Sequence, residues 1–412
     1  MDNTSKSVDI YERLVDALSA LPSGFARTPS GVEIKLIKLA FTPAEASLAG
    51  QLSRKLETAA EIAERVGLPE DEVTVLLEGM IPRRCVRADT LALETGIKGL
   101  GKVEAKPGST AKAEKAKKYR LAPYLVGWYE SYVQNSQSTT KEFGELMKQY
   151  VIEGGGEKIY APRPGPQGVV PYRGSLKPEW IKREPHLDID AHFERNERFL
   201  VLDCLCKKEE AAIHGHSCDM PTRRCGFVGL PPTTPLSENV LTREEAVKLW
   251  DEFDAMGTMI VTGVYGFTYS AEKPQFVGGC HCCACCCGLL NAPLLNPNIK
   301  ETAQRSNYRA VKDYKKCQSC AECVRRCQVF AHTFKETRDG KKTEYNREKC
   351  VGCGSCVMGC PNGALRLEPV SEEEWYHIPS SFIEWEERRL KFLSSQNWRV
   401  AGENITQNDE HK

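Results

Sequence analysis

No long apolar run occurs in the 412 residues; nothing approaches the roughly 20 consecutive apolar residues that a membrane-spanning helix needs. Net charge is absent too. Lys+Arg and Asp+Glu both number 56, so the chain as a whole is no electrostatic trap for nucleic acid or an anionic membrane. The opening MDNTSKSVDIYERL lacks a basic stretch followed by an apolar one. A secretory leader is therefore not expected, and a cytoplasmic location is. Missing as well are a GxGxxG after a strand-like run, a GxxxxGKS or GxxxxGKT loop, an HExxH helix and a Ser-His-Asp signature. Nucleotide, nicotinamide, zinc-protease and triad-hydrolase chemistries are not indicated. Cysteine is almost missing from the first half: Cys85 alone precedes residue 200.

The remaining 18 of the 19 cysteines lie between residues 204 and 360. In a reducing compartment such crowding points to metal rather than disulfides. One run is Cys317-x2-Cys320-x2-Cys323-x3-Cys327, and another is Cys350-x2-Cys353-x2-Cys356-x3-Cys360 followed by Pro361. Thiolates at every third residue of a tight loop can wrap three corners of one iron–sulfur cubane, while the fourth, displaced by one more residue, serves the other cluster. The spacing assigns Cys317, Cys320, Cys323 and Cys360 to one 4Fe–4S cluster and Cys350, Cys353, Cys356 and Cys327 to a second. Gly352, Gly354 and Gly359 are expected to bring backbone N–H groups close to the sulfides. Arg338-Asp339-Gly340-Lys341 reads as a hairpin turn between the two halves.

A second crowd is less regular: Cys204, Cys206, Cys218 and Cys225, then Cys280, Cys282, Cys283, Cys285, Cys286 and Cys287. Cys280, Cys283 and Cys286 repeat the CxxCxxC spacing, and Cys282 and Cys285 form another CxxC; so dense a run satisfies several registers. A third iron–sulfur cluster or another metal such as zinc is expected here. His281 is read as supporting the site or lying exposed, and His214 and His216 as ligands or polar surface.

Three capping boxes mark helices. They start at Thr42 with Glu45, at Thr58 with Glu61, and at Thr242 with Glu245. Gly67 and Gly257 are the matching stops. Val73, Leu76, Leu77 and Met80 give a helix after Pro69 one apolar face. Two short helices around Gly67-Leu68-Pro69 make a helix-turn-helix pattern. The fold class is therefore multidomain α+β. It divides into a winged-helix-like unit at 1–130, a Gly/Pro-rich linker or extended arm at 131–185, a Cys-rich metal-binding unit at 186–300, a ferredoxin-like α+β unit at 301–368 and a helical tail at 369–412.

The segment with the eight spaced cysteines resembles the bacterial-type two-cluster ferredoxins. It departs from them in a longer connection between halves and in Gln328, where proline is usual after the fourth cysteine. The whole arrangement resembles a group of anaerobe iron–sulfur proteins in which a winged-helix-like unit precedes a CxC…CxCCxCCC unit and a two-cluster ferredoxin. The residues that carry this are Cys204, Cys206, Cys218, Cys225 and Cys280 to Cys287. The resemblance implies redox work without naming a substrate; cubanes held by four thiolates sit toward the negative end of the potential range, so low-potential electron transfer is expected, with a redox protein or oxidoreductase complex as partner.

The helix-turn-helix raises a second class, a redox-sensing transcriptional regulator. Its reading helix would begin Glu70-Asp71-Glu72 and carry Glu78, which repels a DNA duplex. Against them stand seven lysines and Arg120 between residues 98 and 120. DNA is accordingly not expected as a partner, and the unit is assigned to docking or to a homodimer contact. A third class, an enzyme with its catalytic metal in the middle unit, stays open. Cys85 is read as a small, partly buried residue.

Overall fold

The computed structural model describes residues 9–88, 116–135, 140–263, 278–337, 340–379 and 381–395. Most of the Lys-rich stretch, the residues 338–339 of the hairpin turn and everything after 395 lie outside them.

All three capping boxes form. Thr42, Thr58 and Thr242 each accept from the N–H three residues on, and each partner glutamate reaches back to the cap. Gly67 and Gly257 end their helices at φ 72° and 81°, where a Cβ would be strained. Helices Ala59–Val66 and Glu70–Met80 pack as a pair, burying Ile62, Ala63, Val73, Leu77 and Met80. Beside them lies an antiparallel sheet with Lys118–Leu121 at its centre, flanked by Glu57–Thr58 and Val86–Ala88.

The described residues of 131–185 are packed into the fold rather than forming a free linker or arm. Thr140–Ile152 is a helix that buries Phe143 and Tyr150 in the N-terminal core, where Phe25 stacks on Tyr150, Tyr124 meets Tyr150 edge-on and Trp128 meets Phe143 edge-on. The three glycines at 154–156 make a close turn: a Cβ on Gly155 would lie 2.2 Å from the Tyr150 ring. Glycine here signals close packing, not slack. Gln167–Val169 then joins a three-stranded antiparallel sheet with Met259–Gly263 and Cys280–Cys282.

A second antiparallel sheet has Arg198–Asp203 between Arg223–Leu230 and Val240–Thr242. Helix Arg243–Met256 lays Ala246, Trp250 and Phe253 against a second core that includes Phe193, Phe199 and Phe227. That core runs on without a break into Tyr308, Cys323, Cys350 and Cys356. The ferredoxin-like unit is closed by Tyr308–Lys312 paired with Leu365–Pro369, and carries the hairpin His332–Thr337 and Gly340–Tyr345. Its neighbour, the tail helix Phe382–Ser395, docks firmly. Arg389 is fully buried and donates to the carbonyls of Pro22, Ile159, Pro162 and Pro164, and Trp385 Nε1 donates to Gly165 O. No helix among the described residues is long and apolar enough to cross a membrane.

Candidate metal centres

The two cysteine runs of the ferredoxin-like unit fold as copies 33 residues apart. Left-handed backbone recurs at equivalent places: Ser319 and Gly352, Ala321 and Gly354, Phe330 and Gly363, with φ from 55° to 75°. The second copy uses glycine at all three; the first holds side chains there at a steric cost. In each copy the fourth cysteine accepts a backbone N–H four residues on: Ala331 N to Cys327 Sγ at 3.1 Å and Ala364 N to Cys360 Sγ at 3.2 Å. Such bonds stabilise thiolate charge. A Cβ on Gly352 would strike Tyr308 O at 2.0 Å, so glycine is required there for close backbone approach. Gly359 has another role: its missing Cβ makes room for the Arg326 side chain.

Cys327 lines one cavity together with Cys350, Cys353 and Cys356, walled by Val329, Val351, His332 and Leu367. This is the set that crosses between the two runs. Cys317, Cys320 and Cys323 surround the other loop, and Cys323 and Cys360 pack in the same core. Eight thiols, N–H donors to sulfur and an apolar wall fit the chemistry of two cubanes.

In the middle unit the run 280–287 lies at the seam of the two cores. Cys280 and Cys282 are two apart on one strand and so share a face, while His281 faces the other way. His281 is 1% exposed, bonded through Nδ1 to Thr258 Oγ1 at 2.9 Å and packed edge-on against Trp250. It is a core residue, neither exposed nor beside the thiols. His214 and His216 are exposed; His214 Nε2 lies 3.4 Å from Glu210 and 3.1 Å from Lys148 Nζ. They belong to polar surface.

After Cys282 the chain turns, and Cys283, Cys285 and Cys286 meet Cys218. Their four sulfurs lie within 4.8 Å of one another, with Cys218 and Cys283 at 3.8 Å and Cys283 and Cys285 at 3.2 Å. Metal–sulfur bonds of about 2.3 Å place the corners of a single-ion tetrahedron about 3.8 Å apart. Two buried cations attend this nest. Lys207, 2% exposed, reaches Cys218 Sγ at 3.3 Å, and Arg224, 1% exposed, donates to Cys283 Sγ at 2.8 Å. Buried cations need counter-charge, and metal-bound thiolates in this nest would supply it. Four thiolates around a divalent ion carry two negative charges, which this pair balances. Nothing in the sequence pattern marked Lys207 or Arg224, since their pairing with sulfur is set by tertiary structure.

Gln328, the residue that departs from the ferredoxin pattern, ties the two sites together. Its Oε1 accepts from Ala284 N–H at 2.8 Å, between Cys283 and Cys285, and its Nε2 donates to Gly257 O at 2.8 Å. Arg326 fastens the same junction through the carbonyls of Asp254 and Ala255 and an ion pair to Glu322. Cys85 is fully inside the N-terminal core, where burial pushes its thiol up to about 12.

Residues 316–364 match the family model of a 4Fe-4S dicluster domain. The polyferredoxin-like subunit of an aliphatic sulfonate oxidoreductase from Pyrococcus furiosus is 26% identical over 96 residues, covering 23% of this chain and 54% of the relative. A tetrathionate reductase subunit from Archaeoglobus fulgidus is 31% identical over 106 residues, 25% of this chain and 50% of the relative. The chain therefore spans about half the length of these two. No solved structure matches. An uncharacterised ferredoxin of Methanocaldococcus jannaschii is 38% identical over 61 residues, 14% of this chain and 90% of that protein. With nearly the whole of a small ferredoxin contained in it, the chain belongs, through residues 316–364, to the 4Fe-4S dicluster ferredoxins.

Proposed function

We propose that the chain is an iron–sulfur electron-transfer subunit of an oxidoreductase, passing low-potential electrons between two 4Fe–4S clusters and a single metal ion held by Cys218, Cys283, Cys285 and Cys286. One cluster takes Cys317, Cys320, Cys323 and Cys360, the other Cys350, Cys353, Cys356 and Cys327. The names of the two oxidoreductase subunits support the setting. The observation that carries the relay is Gln328. From cluster ligand Cys327, the path to Cys283 and Cys285 is one peptide unit, one side chain, one hydrogen bond and one neighbouring residue. An iron ion in the nest would be a redox station; a zinc ion would make it a structural clasp at the junction.

The helix pair Ala59–Val66 and Glu70–Met80 and the sheet of Glu57–Thr58, Lys118–Leu121 and Val86–Ala88 support a winged-helix assignment, used for docking a partner protein or a second copy. A DNA-reading role has the helix-turn-helix in its favour, but Glu70, Asp71, Glu72 and Glu78 are all exposed on the helix that would read the groove. The test is anaerobic purification followed by stepwise reduction with EPR and optical detection. Electron transfer predicts reversible one-electron reduction of both clusters without bound substrate. Clusters that stay oxidised at strongly reducing potentials, or DNA affinity that switches with cluster state, would overturn it.

A further inference from the structure

Six cysteines of the middle unit stand outside the four-thiol nest, and they come together from three segments of the chain. Cys204 follows strand Arg198–Asp203 and caps helix Leu205–His214, which carries Cys206. Cys225 lies on strand Arg223–Leu230; the bond from Gly226 N to Gly279 O brings its sulfur to 2.8 Å from that of Cys280. The side chain of Cys206 interacts with those of Cys204 and Cys287, and Cys287 with Cys282. Cys282 and Cys287 are 8% and 4% exposed, and Cys206 and Cys280 pack against the same core.

We propose that Cys204, Cys206, Cys225, Cys280, Cys282 and Cys287 hold a separate polynuclear iron–sulfur centre, distinct from the ion in the neighbouring nest. It goes beyond the relay described above and stands whether or not that nest holds its ion. An all-thiolate donor set selects soft metals or iron–sulfur clusters. The number of thiols then decides between one ion and many. Among the described residues the nest of Cys218, Cys283, Cys285 and Cys286 is the one thiol set drawn within 4.8 Å. No three of these six converge so closely, and neither do the cysteines of the ferredoxin-like unit, whose family binds cubanes. The six are instead linked in a series of close thiol contacts, Cys225 to Cys280 and Cys204 to Cys206 to Cys287 to Cys282, and they outnumber the four thiolates that a single tetrahedral ion takes.

Charge gives an independent sign. Arg224 is 1% exposed and lies between the two thiol sets, with Cys283 on one side and Cys204 close by. Its Nη2 is used on Cys283, but its Nε and Nη1 are buried without a hydrogen-bond partner. Buried guanidinium donors left unpaired are costly, and anionic sulfides beside Cys204 would satisfy them. The run 280–287 thus serves two centres: the strand residues Cys280 and Cys282, with Cys287, face one, and the turn residues face the other.

Anaerobic full-length protein decides it through iron, acid-labile sulfide, zinc and copper analysis. Two ferredoxin-type cubanes account for about eight sulfides per chain, and a third centre raises this to about twelve or more. The double variant Cys282→Ser/Cys287→Ser is expected to return to about eight, with the EPR of the reduced ferredoxin clusters unchanged as proof of folding. Cys285→Ser is expected to lose the single ion while keeping every sulfide, which separates this centre from the nest. A wild-type protein with about eight sulfides would overturn the proposal whatever the variants do. So would a double variant that keeps the wild-type sulfide, copper in place of iron, or a Cys225–Cys280 disulfide found by mass spectrometry in anaerobically prepared protein.

Discussion

Gln328 stands where a short loop meets the cysteine-rich turn of another unit, and its amide uses both ends. Gln328→Leu keeps the volume but leaves Ala284 N–H without its acceptor, at a cost of about 1–3 kcal/mol at the junction. Iron content should be unchanged while electron exchange between the ferredoxin clusters and the middle unit slows, as read by freeze-quench EPR; equal rates in the variant and the wild type would remove Gln328 from the route. Lys207 permits a companion test. Lys207→Met strips one of the two buried cations beside the nest, and the affinity for its ion should drop by about 10- to 100-fold in competition with a chelator. Unchanged affinity would mean that the thiols are not charged there. Of these residues only Gln328 showed in the sequence, and only as a departure from a pattern. Lys207 and Arg224 sit in ordinary amphipathic contexts, and what gives them meaning is the sulfur that the fold brings to them.

At the level of elements, the capping boxes and glycine stops were legible because helix ends are local: a side chain and a backbone N–H three residues away decide them. The run 280–287 was not legible, because a strand that becomes a turn after Cys282 sends neighbouring thiols to opposite sides, and spacing alone permits several registers. The glycines at 154–156 misled for a related reason. Composition cannot tell a slack linker from a turn pressed against Tyr150. The two loops of the ferredoxin-like unit offer a test of backbone strain. Ala321 holds φ 72° where its counterpart is Gly354, and Ala321→Gly should stabilise that loop by up to about 1 kcal/mol, measured by thermal unfolding under anaerobic conditions. A less stable variant would mean that chain entropy outweighs the relieved strain. Helix Arg243–Met256 supplies a pH dependence. Burial raises the Asp254 carboxyl from 3.8 to about 7, against the pull of Arg173 and Arg326 and reinforced by Asp251. The folded state then keeps a proton that the unfolded chain releases near pH 4. Stability contributed by the neutral acid is full below pH 4 and is lost as pH rises to about 7, by about 1–2 kcal/mol with partial exposure discounted. Asp254→Asn should flatten this window in Tm measurements between pH 4 and 8; a curve parallel to the wild type would place the proton elsewhere.

Across the whole molecule, the cores join what the cysteine pattern had divided. Phe143 and Tyr150 belong to the N-terminal core, and Cys323, Cys350 and Cys356 to the core of the middle unit. Arg389 fastens the tail to residues 22 and 159–164. A protein built this way presents its acidic helix Glu70–Met80 outward as one face of a continuous body. The full chain should bind duplex DNA no tighter than micromolar, without sequence preference and only at low salt. A nanomolar complex surviving physiological salt would restore the regulator. If two cubanes share the eight spaced cysteines crosswise, as proposed, low-temperature EPR of the reduced full-length protein before and after Cys327→Ser reveals it. The wild type should show two magnetically interacting reduced 4Fe–4S clusters. In the variant the cluster of Cys350, Cys353 and Cys356 should be damaged and the interaction lost, while the cluster of Cys317, Cys320 and Cys323 survives. Damage confined to Cys327's own loop, or zinc in place of iron in the wild type, would contradict the account.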